Sequence, residues 1–556
     1  MERPAIRILF QLLHKFGVRD ILCSPGSRNA SLISELDAYG AFNAHVVVDE
    51  RSAAFIGLGI ALNTRRPVAL VCTSGSAVLN YAPAVSEAFY QGIPLIVISA
   101  DRPYEWIDQD DSQTIRQYEV LSHIVKGSYD IVSENTGKEY LWYVNRIINE
   151  ALLKATKQKC GPIHINIHID GNPTEISNSI KDTRKVEVKF PVQNIDRKSI
   201  NILSERLTDR KVMLVAGFMQ PDDKLQKAVL SLAALPNIVV LAETISNLHL
   251  PQNYYKIDTV LFPADEILMQ KLAPEIVISI GGALISRKLK EYIRKNPPVE
   301  LWSVGYSDVL VDCFKSLTLQ IECEPSLFIK SLASGIKRCQ RNSTNIPSYK
   351  NMWNKEREMV KIDDRSIPWS DLKAMAIVMR NLSSQTNLML SNGTAVRYGQ
   401  IIPYDVTHAT YSNRGVSGIE GCMSTAVGLS LYYHGITCLI TGDMSFGYDM
   451  AALNSNLLSK NLRIVVLDNN GGDIFRFIPA TSSLPIRERY LSVGKELPIG
   501  LLADAFGILY YHVDSAEKLE SIIQEFLAVS PRPAILHIDT RSANNSAVLR
   551  KFLCKK

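Results

Sequence analysis

Apolar and polar residues alternate in two distinct rhythms along the first third of the chain. Short apolar runs that end in Gly, Ser or Asp are typical of buried strands, as in RDILCSP, PVALVCTSG and IPLIVISADRP. Between them, apolar positions three and four residues apart are typical of helices, as in ASLISELDAYG and YAPAVSEAFYQG. Because strands alternate with helices, this region is predicted to form a parallel sheet with helices on both faces.

The same alternation returns twice. A second unit begins at KVMLVAGFMQ, and a third runs from NLMLSNG to PAILHIDT. Two polar stretches, GNPTEISNSIKDTRK and KRCQRNSTNIPSYKN, separate the units and are predicted linkers. We therefore expect an α/β protein of three doubly wound parallel-sheet domains, at residues 1–180, 190–345 and 360–556.

The first and last units share one layout. In each, a strand, a Gly-containing turn, an Ala-rich helix and a second strand that ends in Asp follow one another. The spacing from Gly75 to Asp101 equals the spacing from Gly442 to Asp468. Any two strand–helix–strand units look alike to this extent, but two related sheets around a middle domain would be a specific architecture.

Length and composition narrow the class of protein. A chain of 556 residues is too long for one hydrophobic core. Its 46% hydrophobic and 21% charged residues are typical of a globular protein. The net charge of +5 is spread along the chain instead of forming a basic stripe, so we expect no nucleic-acid partner and a modest attraction of anionic small molecules.

Cysteines and apolar runs indicate the compartment. None of the nine cysteines has CxxC spacing, so neither a zinc site nor a disulfide scaffold is predicted. The first residues, MERPAIRILF, lack the apolar core of a signal peptide, and no apolar run reaches transmembrane length. We expect a cytoplasmic protein with reduced thiols and no membrane insertion.

The first candidate for chemistry follows the segment AHVVVDE. Its three valines predict a strand buried on both faces of a sheet, and Asp49 and Glu50 come directly after it. Carboxylates at the end of a buried strand are costly unless something pairs with them. One explanation is a helix N-terminus, where acidic residues complement the helix dipole. The other is a catalytic acid at the carboxyl edge of the sheet.

A second group of polar residues lies at the ends of two strands in the last unit. Asp443 follows one strand, and Asn469 and Gly471 follow the next. Adjacent parallel strands bring their carboxyl ends together, so these residues are predicted to supply oxygen ligands for Mg²⁺. Backbone N–H groups after Gly442 would then face phosphates. Asp, Asn and Gly also favour ordinary turns, which is the alternative.

This spacing resembles the diphosphate-binding signature of thiamine-diphosphate enzymes. The resemblance implies a pyrimidine-binding, a middle and a diphosphate-binding domain, in that order. It also implies a homodimer or homotetramer, because in such families the cofactor lies between two subunits. The cofactors implied are thiamine diphosphate and Mg²⁺, with Mn²⁺ as an alternative. Glu50 matches the glutamate that shares a proton with N1′ of the aminopyrimidine and so promotes loss of the thiazolium C2 proton.

Further motifs resemble one family within that group. They are SPGSRNASL, DERSAAFIGLGIA, TSGSAVLNYAPAVSEA, SADRP, DSQTIRQ, SNRGVSGIEG and NNGGDIFRFIP. Together they resemble the MenD family, the 2-succinyl-5-enolpyruvyl-6-hydroxy-3-cyclohexene-1-carboxylate synthases of menaquinone biosynthesis. The implied reaction is a transferase reaction in which 2-oxoglutarate is decarboxylated and the succinyl carbanion equivalent adds in 1,4 fashion to isochorismate.

The resemblance also assigns residues to each task. Four substrate carboxylates need several cations, and Arg holds a carboxylate with two parallel hydrogen bonds. The implied substrate-binding residues are Arg28, Arg102, Gln113, Arg287, Lys288, Arg397 and Arg414, with Ile474 and Phe475 as an apolar wall. The implied cofactor-binding residues are Glu50, Gly442, Met444 and Ser445, with Ile419 as the residue that bends the cofactor. A solvated helix face is an equal alternative for Arg287 and Lys288.

Two positions depart from the pattern. Met444 stands where the general thiamine signature has Gly. Gly393, followed by Thr394, stands where members of the family often have Ser. The second departure removes a hydroxyl from a loop that the resemblance places near a substrate carboxylate, so the role of that loop stays open.

Two other functions are alternatives to this hypothesis. One is another thiamine-dependent 2-oxoacid decarboxylase or carboligase, such as an acetohydroxyacid synthase, and the second is a non-catalytic regulatory protein on the same fold.

Two further motifs do not predict a site. His164 and His168 in HINIH would stand about 13 Å apart on one strand face, too far to share a metal, and are expected to be partly solvated. The GLG of FIGLGIALN lacks the layout of a dinucleotide site.

Overall fold

Three parallel β-sheets organise the fold. The computed structural model describes residues 3–157, 159–170, 183–189, 195–341, 346–360, 363–402 and 407–554. Every pairing between strands in these residues is parallel, and helices connect the strands. The α/β class with three parallel-sheet units is therefore confirmed.

The first sheet has six strands in the order β2-β1-β3-β4-β6-β5. Its elements are α1 (Pro4–Lys15), β1 (Asp20–Cys23), α2 (Ala30–Tyr39), β2 (Asn43–Val46), α3 (Glu50–Thr64), β3 (Val68–Cys72), α4 (Ala77–Asn80), α5 (Ala82–Gln91), β4 (Leu95–Asp101), β5 (Ser128–Val132), α6 (Lys138–Thr156) and β6 (Ile163–His168).

The middle sheet has five strands in the order β11-β10-β9-β7-β8. Its elements are α7 (Arg197–Thr208), β7 (Val212–Ala216), α8 (Asp223–Ala233), β8 (Ile238–Ala242), α9 (Asp258–Leu261), α10 (Glu266–Lys271), β9 (Ile276–Ile280), α11 (Arg287–Lys295), β10 (Glu300–Val304), β11 (Leu317–Ile321), α12 (Pro325–Gln340) and α13 (Tyr349–Met359).

The last sheet has six strands in the order β13-β12-β14-β15-β17-β16. Its elements are α14 (Asp371–Asn381), β12 (Asn387–Leu390), α15 (Ala395–Ile401), β13 (Ala409–Tyr411), α16 (Cys422–Leu431), β14 (Thr437–Gly442), α17 (Asp443–Tyr448), β15 (Leu462–Asp468), α18 (Ile474–Phe477), α19 (Pro479–Ser482), α20 (Arg487–Tyr490), α21 (Ile499–Ala505), β16 (Leu509–Val513), α22 (Ala516–Leu527), β17 (Ala534–Asp539) and α23 (Asn545–Cys554).

The first and last sheets have the same strand order when each is numbered from its own first strand. The similarity expected from the spacing of Gly75 and Gly442 therefore extends to the whole topology. One detail differs, because the Ala-rich stretch in the last unit is not a full helix. There α17 begins directly at Asp443, and a short 3-10 helix, Met450–Asn454, takes the place of the expected one.

The strand before Glu50 is an edge strand, so its expected burial on both faces is wrong. It ends at Val46 and pairs only with β1 in the described residues. The side chains of Val46 and Val48 are 62% and 72% exposed in the single chain. An apolar run alone does not separate a central strand from an edge strand.

The two strand histidines are buried, so their expected partial solvation is also wrong. His164 lies within hydrogen-bonding distance of the Ser99 hydroxyl at 2.7 Å, and burial lowers the pKa of its imidazole to about 4. His168 bonds to Asp130 and to the backbone carbonyl of Arg102. Alternation along β6 does not reveal this burial, because both faces of a central parallel strand are covered.

The segments between the sheets are described only in part. The predicted linker at 171–185 lies largely outside the described residues. The predicted linker at 337–351 begins inside α12 and ends inside α13 where it is described. Among the described residues, none of the helices combines the length and the apolar character needed to cross a bilayer.

Two central helices join the first unit to the last. A single hydrophobic cluster includes buried residues of both, and α3 packs directly against α16. A Cβ atom on Gly59 would lie 2.1 Å from the backbone oxygen of Thr425, and one on Gly428 would lie 2.0 Å from that of Ile56. The two glycines therefore allow a backbone-to-backbone approach that no side chain would permit. Since α3 begins at Glu50, this contact also sets the position of that residue.

Candidate active site

The carboxyl ends of β14 and β15 bring together the predicted metal ligands. The two strands are adjacent, with Gly442 opposite Leu467 in the parallel register. Asp443 then starts α17, and its two carboxylate oxygens accept hydrogen bonds from the N–H groups of Met444, at 2.8 Å, and Gly471, at 2.7 Å. Asp443 is buried, and burial raises the pKa of its carboxyl group although these N–H groups act in the opposite direction.

The turn after β15 leaves oxygen atoms without a hydrogen-bond donor. Asn470 and Gly471 both have positive φ angles, of 61° and 108°, and this left-handed turn reverses the chain beside Asp443. The Oδ1 atom of Asn469 is buried and has no hydrogen-bond partner in the described residues, and the same holds for Oδ2 of Asp473. A buried, unsatisfied amide oxygen is costly unless a cation or water meets it.

This donor set fits a hard divalent cation. One carboxylate, one amide oxygen and one backbone carbonyl, from Asp443, Asn469 and Gly471, match the oxygen ligands of Mg²⁺ or Mn²⁺. In the described part of the chain, no cluster of three or more His, Cys, Asp or Glu side chains offers a competing site. The unsatisfied Oδ1 of Asn469 is the observation that favours a metal over an ordinary turn.

Open space adjoins the predicted cofactor residues. A Cβ atom on Gly442 would meet no other atom within 4 Å. The hydroxyl of Ser445 donates a 2.6 Å hydrogen bond to the backbone carbonyl of Ile419, which ties the loop before α16 to the first turn of α17. The Met444 sulfur lies close to Gly472. Gly442, Met444, Ser445 and Ile419 therefore lie around one edge of the sheet.

The first turn of α3 separates the roles of the two acidic residues after β2. Asp49 is the helix cap, since its side chain accepts from the N–H groups of Arg51 and Ser52 at 2.8 and 3.3 Å. Glu50 takes no part in this cap. Its carboxylate accepts a 3.3 Å hydrogen bond from the Asn80 amide and is only half-buried in the single chain. The helix-terminus explanation thus holds for Asp49 and leaves Glu50 free for another task.

The predicted substrate cations form two groups. Arg28 and Arg102 belong to the first: Arg28 donates to the carbonyl of Ile169 at 3.1 Å, and Arg102 pairs with Asp111 at 2.8 Å. Burial and the positive charge of Arg102 lower the pKa of Arg28. A bound anion would relieve this repulsion between like charges.

The second group lies where the middle and last units meet. Arg414 donates to the Asn392 side chain at 2.9 Å and to the carbonyl of Leu284 at 3.3 Å. Arg397 donates to the carbonyl of Gly393, whose φ of 99° lies in the region that favours glycine over serine. Burial lowers the pKa of Arg397, and the nearby positive charges of Arg414 and Arg287 lower it further.

The basic pair of the middle unit divides between two environments. Arg287 is exposed and forms a 2.8 Å ion pair with Glu291 on the same helix, which fits a solvated helix face. Lys288 is half-buried, with its ammonium 5.5 Å from the centre of the Phe262 ring. A solvated helix face, the alternative to substrate binding, therefore describes Arg287 better than Lys288.

The remaining predicted residues lie in loops and a short helix. Gln113 has a positive φ of 53°, packs its backbone against Gly75 and leaves its side chain exposed. Ile474 and Phe475 begin α18 and are half-buried, and the Phe475 ring lies against Gly472 beside Met444. These two residues thus adjoin the turn that carries the predicted metal ligands.

Several residues of this region were missed by the sequence analysis. Glu87 of α5 accepts hydrogen bonds from the N–H groups of Gly415 and Val416, next to Arg414. Glu243 accepts hydrogen bonds from the N–H groups of Ile285 and Ser286, in the loop that leads to Arg287. No local motif marks these carboxylates, because their partners are far away in the sequence.

A buried polar network behind Arg102 was also missed. The two ring nitrogens of His168 lie within hydrogen-bonding distance of other groups, one of the Asp130 carboxylate, at 3.1 Å, and one of the carbonyl of Arg102. Burial alone would lower the pKa of His168, but these two hydrogen bonds outweigh it and raise the pKa. The His168 ring therefore fixes the backbone of a predicted substrate residue.

Comparison with known proteins identifies the family. The model of the thiamine pyrophosphate enzyme N-terminal TPP binding domain matches residues 5–120. The 2-succinyl-5-enolpyruvyl-6-hydroxy-3-cyclohexene-1-carboxylate synthase of Porphyromonas gingivalis is 38% identical over 99% of this chain and 97% of its own length. The chain belongs to this synthase family. The synthases of that name from Bacteroides thetaiotaomicron and Christiangramia forsetii are 33% and 34% identical, each over 99% of this chain and 98% of their own length.

The fold has a more distant relative. Benzoylformate decarboxylase from Polynucleobacter necessarius superposes with a TM-score of 0.73 over 98% of this chain and 100% of that one, at 18% identity. At this identity the likeness supports the three-domain fold only. The expected family resemblance is confirmed, and the chain is an enzyme of the thiamine-diphosphate-dependent, carbon–carbon bond-forming type.

Proposed function

We propose that this enzyme decarboxylates 2-oxoglutarate and adds the succinyl unit to isochorismate, giving 2-succinyl-5-enolpyruvyl-6-hydroxy-3-cyclohexene-1-carboxylate for menaquinone biosynthesis. Membership of the synthase family at 38% identity over nearly the whole chain supports this reaction. The structural observation that carries it is the unsatisfied Asn469 oxygen beside Asp443, at the strand edge where the family motif predicts the metal.

The residues at that edge suit a diphosphate held through a divalent metal. We propose that Asp443, Asn469 and the Gly471 carbonyl ligate Mg²⁺ or Mn²⁺, and that Gly442, Met444 and Ser445 surround the diphosphate. When bound, thiamine diphosphate supplies the carbanion chemistry. The hydrogen bond from Ser445 to Ile419 supports a role for the Ile419 side chain against the cofactor, because it fixes that loop.

Glu50 is proposed as the catalytic residue that holds a proton at N1′ of the aminopyrimidine. Its place at the first turn of a rigid helix suits this task, since the α3–α16 contact prevents the helix from shifting. The Asn80 hydrogen bond orients the carboxylate and leaves one of its oxygens free. An apolar cover over this half-exposed site would keep water away from the carboxylate.

A second subunit is the proposed source of that cover. Apolar side chains of Val46, Val48, Leu79 and Tyr448 are exposed around Glu50 in the single chain. We propose a homodimer, or a homotetramer built from it, in which Glu50 of one subunit faces the Asp443 site of another. The domain boundaries at 1–180, 190–345 and 360–556 and a cytoplasmic location are proposed with it.

The two groups of cations suit two dianionic substrates. Arg28 and Arg102, with Gln113 on the adjoining loop, are proposed to bind carboxylates on one side of the site. Arg397, Arg414 and Lys288, with Arg287 at the helix surface, are proposed for the other side. Ile474 and Phe475 are proposed to cover the apolar part of isochorismate, because they adjoin the metal-binding turn.

The assay for this function follows loss of isochorismate absorbance. Enzyme, 2-oxoglutarate, thiamine diphosphate and Mg²⁺ are combined, and each is omitted in turn. Loss that requires all four establishes the reaction. Release of CO₂ from 2-oxoglutarate without loss of isochorismate would instead indicate another thiamine-dependent decarboxylase, and neither change would favour a non-catalytic protein.

Two variants test the residues and the subunit arrangement together. Glu50→Gln is expected to bind cofactor but to lose most turnover, and Asp443→Ala to lose cofactor binding. If sites form between subunits, unfolding and refolding an equal mixture of the two inactive variants restores about a quarter of wild-type activity, since half of the dimers then carry one intact site. If each site lies within one subunit, the mixture stays inactive.

A further inference from the structure

A buried carboxylate behind the proposed metal site has no part in the scheme above. Asp371 is the first residue of α14 and is fully buried. One of its oxygens accepts a 2.6 Å hydrogen bond from Nδ2 of Asn469, and the other accepts from the hydroxyl of Thr540. None of the ion pairs in the described part of the chain includes Asp371, and these hydrogen bonds are what hold its carboxyl group.

The position of Asp371 is not explained by helix capping. Ser370 is the cap of α14, since its hydroxyl accepts from the N–H of Lys373. The backbone N–H of Asp371 donates to the Asn545 side chain at 2.7 Å. The carboxylate is thus held from two sides, and its oxygens point at residues from the ends of β15 and β17.

The contact with Asp371 decides which way the Asn469 amide faces. A carboxylate accepts hydrogen bonds but donates none, so it holds the NH₂ end of the amide and not the oxygen end. The oxygen of Asn469 then faces away from Asp371, where it is buried and has no partner among the described residues. A half-turn of the amide would place its oxygen against a carboxylate oxygen.

We propose that Asp371 is a positioning residue for the divalent metal. It fixes the amide of Asn469 with the oxygen presented to the cation. The inference rests on the proposed metal site at Asp443, Asn469 and Gly471. If Asp371 has this role, the affinity of the site for the divalent metal depends on a residue that does not touch the metal.

Metal affinity, measured without substrate, tests the inference. Free Mn²⁺ is followed by electron paramagnetic resonance during titration of the full-length enzyme, with thiamine diphosphate present and then absent. Asp371→Ala is expected to weaken Mn²⁺ binding about 10- to 100-fold. Asp371→Asn keeps an oxygen that accepts from Asn469 in the same volume, so it is expected to stay within about threefold of wild type.

Each outcome separates this inference from the proposed site. If the wild-type enzyme and Asp443→Ala bind Mn²⁺ equally, the proposed metal site is wrong. If Asp443→Ala loses Mn²⁺ while Asp371→Ala binds it as the wild type does, only the positioning role is wrong. Equal losses in Asp371→Ala and Asp371→Asn would assign the effect to charge and overturn the orienting hydrogen bond.

A second variant covers failure of Asp371→Ala to fold. Thr540→Val conserves the side-chain volume and removes the hydroxyl that holds the other oxygen of Asp371. It is expected to weaken Mn²⁺ binding severalfold, because the carboxylate is then free to turn. Unchanged Mn²⁺ affinity in folded Thr540→Val would overturn the inference on its own.

Discussion

The side chain of Glu87 holds the backbone of Gly415, 328 positions later in the chain, through a 2.6 Å hydrogen bond. Its second oxygen accepts from the N–H of Val416 at 2.8 Å. Glu87 is completely buried in the first unit, and the loop that it grips carries Arg414 in the last unit. One carboxylate thus couples the packing of two units to the placement of a proposed substrate residue.

Replacing Glu87 tests this coupling. In Glu87→Ala, two N–H groups lose their acceptor, which costs about 1–3 kcal/mol for each that stays buried. We expect a lower melting temperature and, because the Arg414 loop loosens, a roughly tenfold higher KM for one carboxylate substrate, equivalent to about 1.4 kcal/mol. Glu35→Ala, which breaks a 2.7 Å ion pair with Arg7 on the far side of the same unit, is the control. A rise in KM in both variants would contradict a specific link.

The close contact of α3 and α16 predicts a severe effect of one methyl group. Gly428→Ala would place a Cβ atom 2.0 Å from the backbone oxygen of Ile56. Since backbone cannot rotate away, we expect a loss of at least about 3 kcal/mol of stability, the upper range for overpacking. Thermal unfolding measures this, and displacement of Glu50 should lower kcat in whatever fraction folds.

Gly335→Ala is the matched control for that variant. It adds the same methyl group to the interior of α12, where the nearest atoms are the hydroxyl and Cβ of Ser204, at 2.0 and 2.9 Å, and not backbone. The hydroxyl can rotate away and the Cβ contact needs only a small shift, so the expected loss is smaller. Equal melting temperatures for the two variants would show that backbone contact is not what makes Gly428 necessary.

The Glu243 carboxyl predicts a pH dependence of stability. Burial raises its pKa from 4.5 to about 7, although two backbone N–H groups act in the opposite direction. The folded state therefore binds more protons than the unfolded state between these values, and its stability falls as the pH rises through that window. The side chain of Glu243→Gln stays neutral at every pH. The variant therefore keeps the stability that the wild type loses, which is on the order of 3 kcal/mol of the free energy of unfolding above pH 7.

Melting temperatures at pH 5 and pH 8 measure the effect. The variant also loses one hydrogen bond to Ile285 or Ser286, but that cost is nearly the same at both pH values. The melting temperature of Glu243→Gln, relative to that of the wild type, should therefore be higher at pH 8 than at pH 5. A difference that does not change with pH would show that Glu243 is ionised at both.

The exposed valines beside Glu50 predict an interface variant. Val48→Asp would place a charge in the centre of the proposed dimer contact, and we expect dissociation and loss of turnover in a chain that still folds. Val299→Asp is the control, because Val299 is also 72% exposed but lies in the middle unit before β10. Sedimentation velocity distinguishes them. An intact oligomer in Val48→Asp would place the interface elsewhere.

Much of the architecture could be predicted because it depends on local patterns. Apolar runs and helical spacing predicted the alternation of strands and helices, and the spacing around Gly75 and Gly442 predicted two sheets that share one strand order. The closeness of the proposed metal ligands was predictable for the same reason. Asp443 and Asn469 lie at the ends of adjacent strands, and parallel register brings such ends together.

Burial of particular residues was not predictable in the same way. The valines before Glu50 form an exposed edge, and the histidines of β6 are enclosed by the Ser99 and Asp130 side chains. Apolarity along the chain does not reveal which neighbour covers a strand. An edge strand rich in valine and a central strand have similar sequences.

Local patterns along the chain were enough to predict the three-sheet plan, the family and the residue types that the chemistry needs. The residues that hold those groups in place became visible in the fold alone: Glu87 on the Arg414 loop, His168 on Arg102, and Asp371 on Asn469. The reason is physical. Each of these contacts joins residues that lie far apart in sequence, and a buried charge or donor is satisfied by whatever the fold brings to it.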